Sequence, residues 1–148
     1  MKNIKFIIDE YVSPDKHIIS NLANISSILY SQLPDLNWLG FYLADNPKQE
    51  LYLGPFQGLQ ATSNIKYENG VCGHAATTKQ TIIVPDVHCF DGHIACDINS
   101  KSEIVVPIFD QNGELYAILD VDSPIRDRFH ESEQQLFEQI AKQITELL

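Results

Sequence analysis

Residues 103–121 constrain the fold more than any other stretch of the chain. Two apolar runs, Glu103–Phe109 and Glu114–Val121, flank Asp110-Gln111-Asn112-Gly113. Asn-Gly tolerates the backbone angles of a tight reversal, so the two runs read as strands of an antiparallel hairpin. The second run continues through Leu119-Asp120-Val121-Asp122-Ser123. Side chains alternate across a strand, so Asp120 and Asp122 share one face and Leu119 and Val121 the other.

The rest of the chain supplies partners for this hairpin. Leu36–Ala44, LNWLGFYLA, is rich in aromatic and apolar residues and reads as a strand. Asp45-Asn46-Pro47 marks a turn, and Glu50–Phe56 a second strand, giving another hairpin. Residues 59–69 read as loop or irregular strand, Val71–Thr78 as a short helix, Thr81–Val84 as a short β-branched strand and Asp86–Asp97 as a loop. Residues 2–12 suggest a short helix. Ser13-Pro14-Asp15 carries the signature of a helix start, and Ile18, Leu22, Ile25 and Leu29 then recur at helical spacing. A last helix runs from about Glu131 to the end, with Phe137, Ile140, Ile144 and Leu147 on one face and Glu131 and Glu133 suited to its N-terminal dipole. The order predicts an α+β domain spanning residues 1–148, with helices on one face of a largely antiparallel sheet and the central loops over the other.

Charge narrows the partners. Twenty acidic against ten basic side chains give a net charge of −10, unsuited to DNA, RNA or anionic lipid. The apolar run Phe6-Ile7-Ile8 stops at Asp9 and Glu10, too soon for a secretory signal, and no run approaches the length of a membrane span. The expected location is the cytoplasm, where thiols stay reduced and three cysteines are inert core residues, metal ligands or catalysts.

All three, Cys72, Cys89 and Cys96, fall between Gly70 and Asp97, together with His74, His88 and His93. Cys72 lies between Gly70 and Gly73, glycines that let the backbone come close to a ligand; at a helix start, backbone N–H groups would favour its thiolate. Cys96 follows His93 by three residues, and Cys89 follows His88 directly. Each could equally be a small buried hydrophobe. The thiols and imidazoles are all zinc ligand types, but no paired CxxC occurs and the spacings match no finger or ribbon, so no metal site is expected. Asp120 and Asp122 could sit on a solvated sheet face. Glu103, at the start of the neighbouring strand, offers the other outcome: carboxylates that converge in a pocket, bind an ammonium group, or hold a proton because like charges raise their pKa. Trp38, Phe41 and Tyr42 could line such a pocket, although alternation splits them between faces.

Seven motifs carry a family resemblance: NWLGFY (37–42), LGPFQG (53–58), GVCG (70–73), DVHCFDGHIACD (86–97), SEIVVP (102–107), LDVDSP (119–124) and RF (128–129). The chain resembles the free methionine-(R)-sulfoxide reductases, which are single GAF domains. The resemblance implies a GAF-like domain with a central antiparallel sheet of six strands and flanking helices. It implies reduction of free methionine-R-sulfoxide without a cofactor, thioredoxin or a similar dithiol as electron donor, and, as GAF domains commonly pair, a homodimer. It casts Cys96 as the catalytic thiol and Cys72 as a redox partner. Glu103, Asp120 and Asp122 become pocket carboxylates, and Trp38 and Tyr42 pocket aromatics. One position departs from the pattern. The family usually carries a cysteine ten residues before that of GVCG, and this chain has Thr62 there; Cys89 is then the alternative resolving thiol. The competing reading is a non-catalytic GAF sensor of a small ligand or of redox state.

Overall fold

The computed structural model describes residues 3–89 and 99–148, apart from the Cys89 side chain. The chain runs α1 (Ile4–Tyr11), α2 (Ile18–Gln32), β1 (Trp38–Asp45), β2 (Glu50–Gly58), β3 (Asn64–Lys66), α3 (Gly70–Thr78), β4 (Ile82–Val84), a 3-10 turn (Val87–Cys89), β5 (Ser102–Phe109), β6 (Leu115–Ser123) and α4 (Glu131–Leu147). The strands form one six-stranded sheet in the order β3-β2-β1-β6-β5-β4. Every neighbouring pair is antiparallel. This is the α+β class that the two hairpins predict, and β1 and β6 join them at the centre of the sheet.

The β5–β6 turn depends on Asp110 as much as on Asn-Gly. Its Oδ1 accepts from the backbone N–H groups of Asn112 at 2.8 Å and Glu114 at 3.0 Å, and Gly113 takes φ 84°. Strand β6 consequently begins at Leu115.

Alternation sorts the sheet's side chains into two cores. Leu39, Phe41 and Leu43 of β1, Ile104, Val106 and Ile108 of β5, and Leu119 and Val121 of β6 face α1, α2 and α4. Leu22, Ile25 and Leu29 meet them from α2, and Phe137, Ile140 and Ile144 from α4. Each such side chain taken fully out of water contributes about 1.5–3 kcal/mol. The second core holds Trp38, Tyr42, Val105 and Ile118 beneath Val71, Cys72, Ala75 and Ala76 of α3. The short helix expected over 71–78 thus lies over the face that the sequence reading assigns to the central loops.

Two local expectations are corrected. Ser13-Pro14-Asp15 forms a turn, closed by Lys16 N–H donating to the Ser13 carbonyl at 3.1 Å. Helix α2 starts at Ile18, and the His17 ring Nδ1 caps it by accepting from Ile19 N–H at 3.1 Å. The reason is buried Asn21, whose Nδ2 donates to the Ser13 carbonyl at 2.8 Å. That bond holds Ser13 against the second turn of the helix, where it cannot serve as its cap. Gly73, in turn, gives α3 close approach to backbone: a Cβ there would lie 2.7 Å from the carbonyl oxygens of Lys66 and Tyr67.

Candidate active site

Strand register builds the site on the α3 side of the sheet. Trp38 pairs with Asp122, and Asp122 with Glu103 on its other side, so an indole and two carboxyl groups stand in one row across β1, β6 and β5. In the next row Gly40 pairs with Asp120, and Asp120 with Val105. Tyr42 follows in the third row, opposite Ile118. Period-two alternation points all of these to one face and sends Phe41 into the opposite core.

Gly40 makes the aromatic wall fit. A Cβ at that position would lie 2.8 Å from the Trp38 ring and 2.9 Å from Phe56 Cα. The missing side chain leaves its space to the indole, which stacks on Phe56 with centroids 5.3 Å apart and on Tyr42 at 5.9 Å. Phe56 was not singled out from the sequence. The signal for it was the pairing of its strand with β1, which sets it opposite Gly40. Both polar aromatic tips bind main chain: Trp38 Nε1 donates to the Leu59 carbonyl at 2.9 Å and the Tyr42 hydroxyl to the Thr62 carbonyl at 3.0 Å. Thr62, the position of the sequence departure, therefore sits at the rim of this wall.

The carboxyl groups are not on a solvated face. Glu103, Asp120 and Asp122 are each 5–6% exposed. From α3, Cys72 Sγ donates to Asp120 Oδ2 at 3.4 Å. Burial, and then the charge of Asp122, raise the Glu103 carboxyl to about 8. Burial, with Glu103 alongside, pushes Asp120 well above the usual carboxylate range. Hydrogen bonds link Glu103 to both Asp120 and Asp122. Each such bond between carboxyl groups needs a proton. Carboxyl groups this close and this buried therefore share protons rather than standing as three separate charges.

Cys72 corrects another expectation. It does sit in the first turn of α3, but burial and the carboxyl groups of Asp120, Glu103 and Asp122 drive its thiol well above the ordinary value. Desolvation of a thiolate among acidic groups outweighs one helix end. Ligating atoms of Cys72, Glu103 and Asp120 lie within 4.8 Å of one another, a concentration of donors that a single cation can share. Sequence spacing hides this set, because its members come from α3, β5 and β6.

His74 and His88 are exposed. Cys96 and His93 belong to residues 90–98, outside the described residues, as is the side chain of Cys89. Among the described residues, no helix is long and apolar enough to cross a membrane.

The sheet and its helices define a GAF domain, and the GAF domain family model matches residues 19–148. The free methionine-R-sulfoxide reductase of Escherichia coli is 44% identical over 130 residues, covering 88% of this chain and 77% of that protein. The reduced form of fRMsr of Staphylococcus aureus superposes with a TM-score of 0.90 at 43% identity, covering 100% of this chain and 96% of that one. The free methionine-R-sulfoxide reductase of Neisseria meningitidis, solved in complex with its substrate, gives 0.88 at 36% identity, covering 97% and 83%. The chain belongs to the free methionine-R-sulfoxide reductase family of GAF domains.

Proposed function

We propose that this chain, acting as one domain over residues 1–148, reduces free methionine-R-sulfoxide to methionine. The observation that carries the reading is the buried carboxyl cluster beside the Trp38 wall. Taking carboxylates out of water costs several kcal/mol for each charge left unpaired. A site that keeps three of them together, with Asp120 Oδ1 buried and without a hydrogen-bond partner among the described residues, is suited to a cation. The α-ammonium of a free amino acid is such a cation. A methionine sulfoxide within a polypeptide lacks it, which accounts for a preference for the free form. The aromatic wall suits the apolar methyl and methylene groups on either side of the sulfur.

The thiolate of Cys96 attacks the sulfoxide sulfur, and the S–O bond breaks as its oxygen is protonated. Glu103, protonated at neutral pH, is the suited donor within the cluster, with Asp120 and Asp122 sharing its proton. The oxygen passes to the Cys96 sulfur as the transient bond between the two sulfurs breaks, so that methionine leaves and Cys96 carries a sulfenic acid. A second thiol, Cys72, displaces that oxygen as water and forms a disulfide, with Cys89 as the alternative. Thioredoxin or a similar dithiol then reduces the disulfide by exchange. A homodimer in the cytoplasm is the expected form.

Turnover on free methionine-R-sulfoxide, the S epimer and a peptide-bound sulfoxide, each with a thioredoxin system, tests the reading. Activity on the first alone is expected. Fully reduced protein that turns over none of them would leave a GAF domain that only binds its ligand.

A further inference from the structure

We propose that Asp120 is the base for the second thiol, taking the proton of Cys72 as Cys72 attacks the oxidised nucleophile. The proposal rests on the function above, in which Cys96 carries a sulfenic acid, and it gives Asp120 a second task in the step that follows.

A buried thiol needs an acceptor for its proton within hydrogen-bond reach before it can attack. Asp120 Oδ2 lies 3.4 Å from Cys72 Sγ, and both side chains are 6% exposed, so bulk water is not the ready alternative. The imidazoles of His74 and His88, which would be the usual bases, are exposed. Among the described residues, the titratable groups facing Cys72 are Asp120 and Asp122 from β6 and Glu103 from β5. Of these, Asp120 accepts the bond from the thiol, while Glu103 and Asp122 stand in the row of Trp38. Register thus gives Asp120 the bond to the thiol and sets Glu103 and Asp122 beside the indole.

The cluster has room for the proton. Once Glu103 has given its proton to the sulfoxide oxygen the cluster can take one back, and Asp120 hands on what it receives to Glu103 beside it. The step balances without an outside oxidant. The S–S bond forms as the S–O bond of the sulfenic acid breaks, Cys72 is oxidised as Cys96 is reduced, and hydroxide leaves with the thiol proton as water. Because the same charges hold Cys72 protonated at rest, the second thiol stays unreactive until the first has been oxidised.

Single turnover without external dithiol tests this. Methionine release is followed together with Cys96 sulfenic acid, trapped by a cyclic dione, and with the Cys72–Cys96 disulfide, read by mass. In Asp120→Asn the disulfide should fall behind methionine release by about 100-fold more than in the parent, with sulfenic acid accumulating. The disulfide rate should then climb with pH as hydroxide substitutes for the base, and Asp120→Glu should recover part of it. Disulfide formation that keeps pace with methionine release in Asp120→Asn, with the parent's pH profile, overturns the proposal. A parent protein that releases no methionine fails earlier and overturns the function itself. Should Asp120→Asn not fold, the parent in heavy water decides. A disulfide step at least twofold slower than in water is expected, and equal rates overturn the proposal.

Discussion

Replacing Glu103 by glutamine should make the fold more stable at alkaline pH while slowing turnover. In the fold this carboxyl titrates at about 8, and in an unfolded chain at 4.5. Between these values the folded state holds a proton that the unfolded state has released. Stability is therefore greatest below the unfolded value and is lost as pH rises toward 8. The full loss is about 5 kcal/mol for one such carboxyl, a sizeable part of the 5–15 kcal/mol typical of a domain. Glutamine keeps the shape and cannot ionise, so the variant should lack this slope. Urea denaturation midpoints at intervals from pH 5 to 8.5, under reducing conditions, measure it. The parent curve should fall across that range and the variant curve should be flatter, the two separating most at the alkaline end. Parallel curves would refute the reasoning, because they would mean that Glu103 is ionised in the fold throughout. Free methionine, if its ammonium pairs with the cluster, should raise the parent's midpoint more at pH 8 than at pH 5.

Cys96→Ser should abolish turnover, since a serine hydroxyl is a far weaker nucleophile at neutral pH; a variant with parental rates would remove Cys96 from the chemistry. Mass mapping after one turnover should find Cys72 bridged to Cys96, and a Cys89–Cys96 bridge with Cys72→Ser still active would transfer the second role to Cys89. Gly40→Ala should cost about 1–3 kcal/mol by overpacking against Phe56 and the Trp38 ring, read as a lower Tm, with KM raised as the indole shifts. Tyr42→Phe should cost about 1 kcal/mol through the lost bond to the Thr62 carbonyl; unchanged stability would mean that water replaces it.

Much of this architecture is written in local patterns. Alternation in residues 118–123 separates the acidic face from the apolar one, and it sends Trp38 and Tyr42 the same way while turning Phe41 aside. The presence of both hairpins follows from their turn residues. What alternation does not give is depth. A strand with every second residue acidic looks the same whether that face meets water or a helix, and among the described residues α3 lies across this one. Nor is the start of α2 local: the capping residues are there at Ser13, but Asn21, in the first turns of the helix, holds them elsewhere. Gly73 illustrates the same limit, since its partner backbone at Lys66 and Tyr67 is adjacent only after β3 has joined the sheet.

The two bonds from Trp38 and Tyr42 end on main-chain carbonyls, at Leu59 and Thr62. Every residue type offers that oxygen, so the aromatic wall places no demand on the side chains at positions 59 and 62. Position 62 can exchange a thiol for a hydroxyl, or the reverse, while the anchoring of Tyr42 is preserved. In the proposed mechanism, resetting the oxidised thiol is therefore separable from the shape of the pocket: a cysteine gained or dropped here by a single substitution leaves the bond that anchors Tyr42 in place.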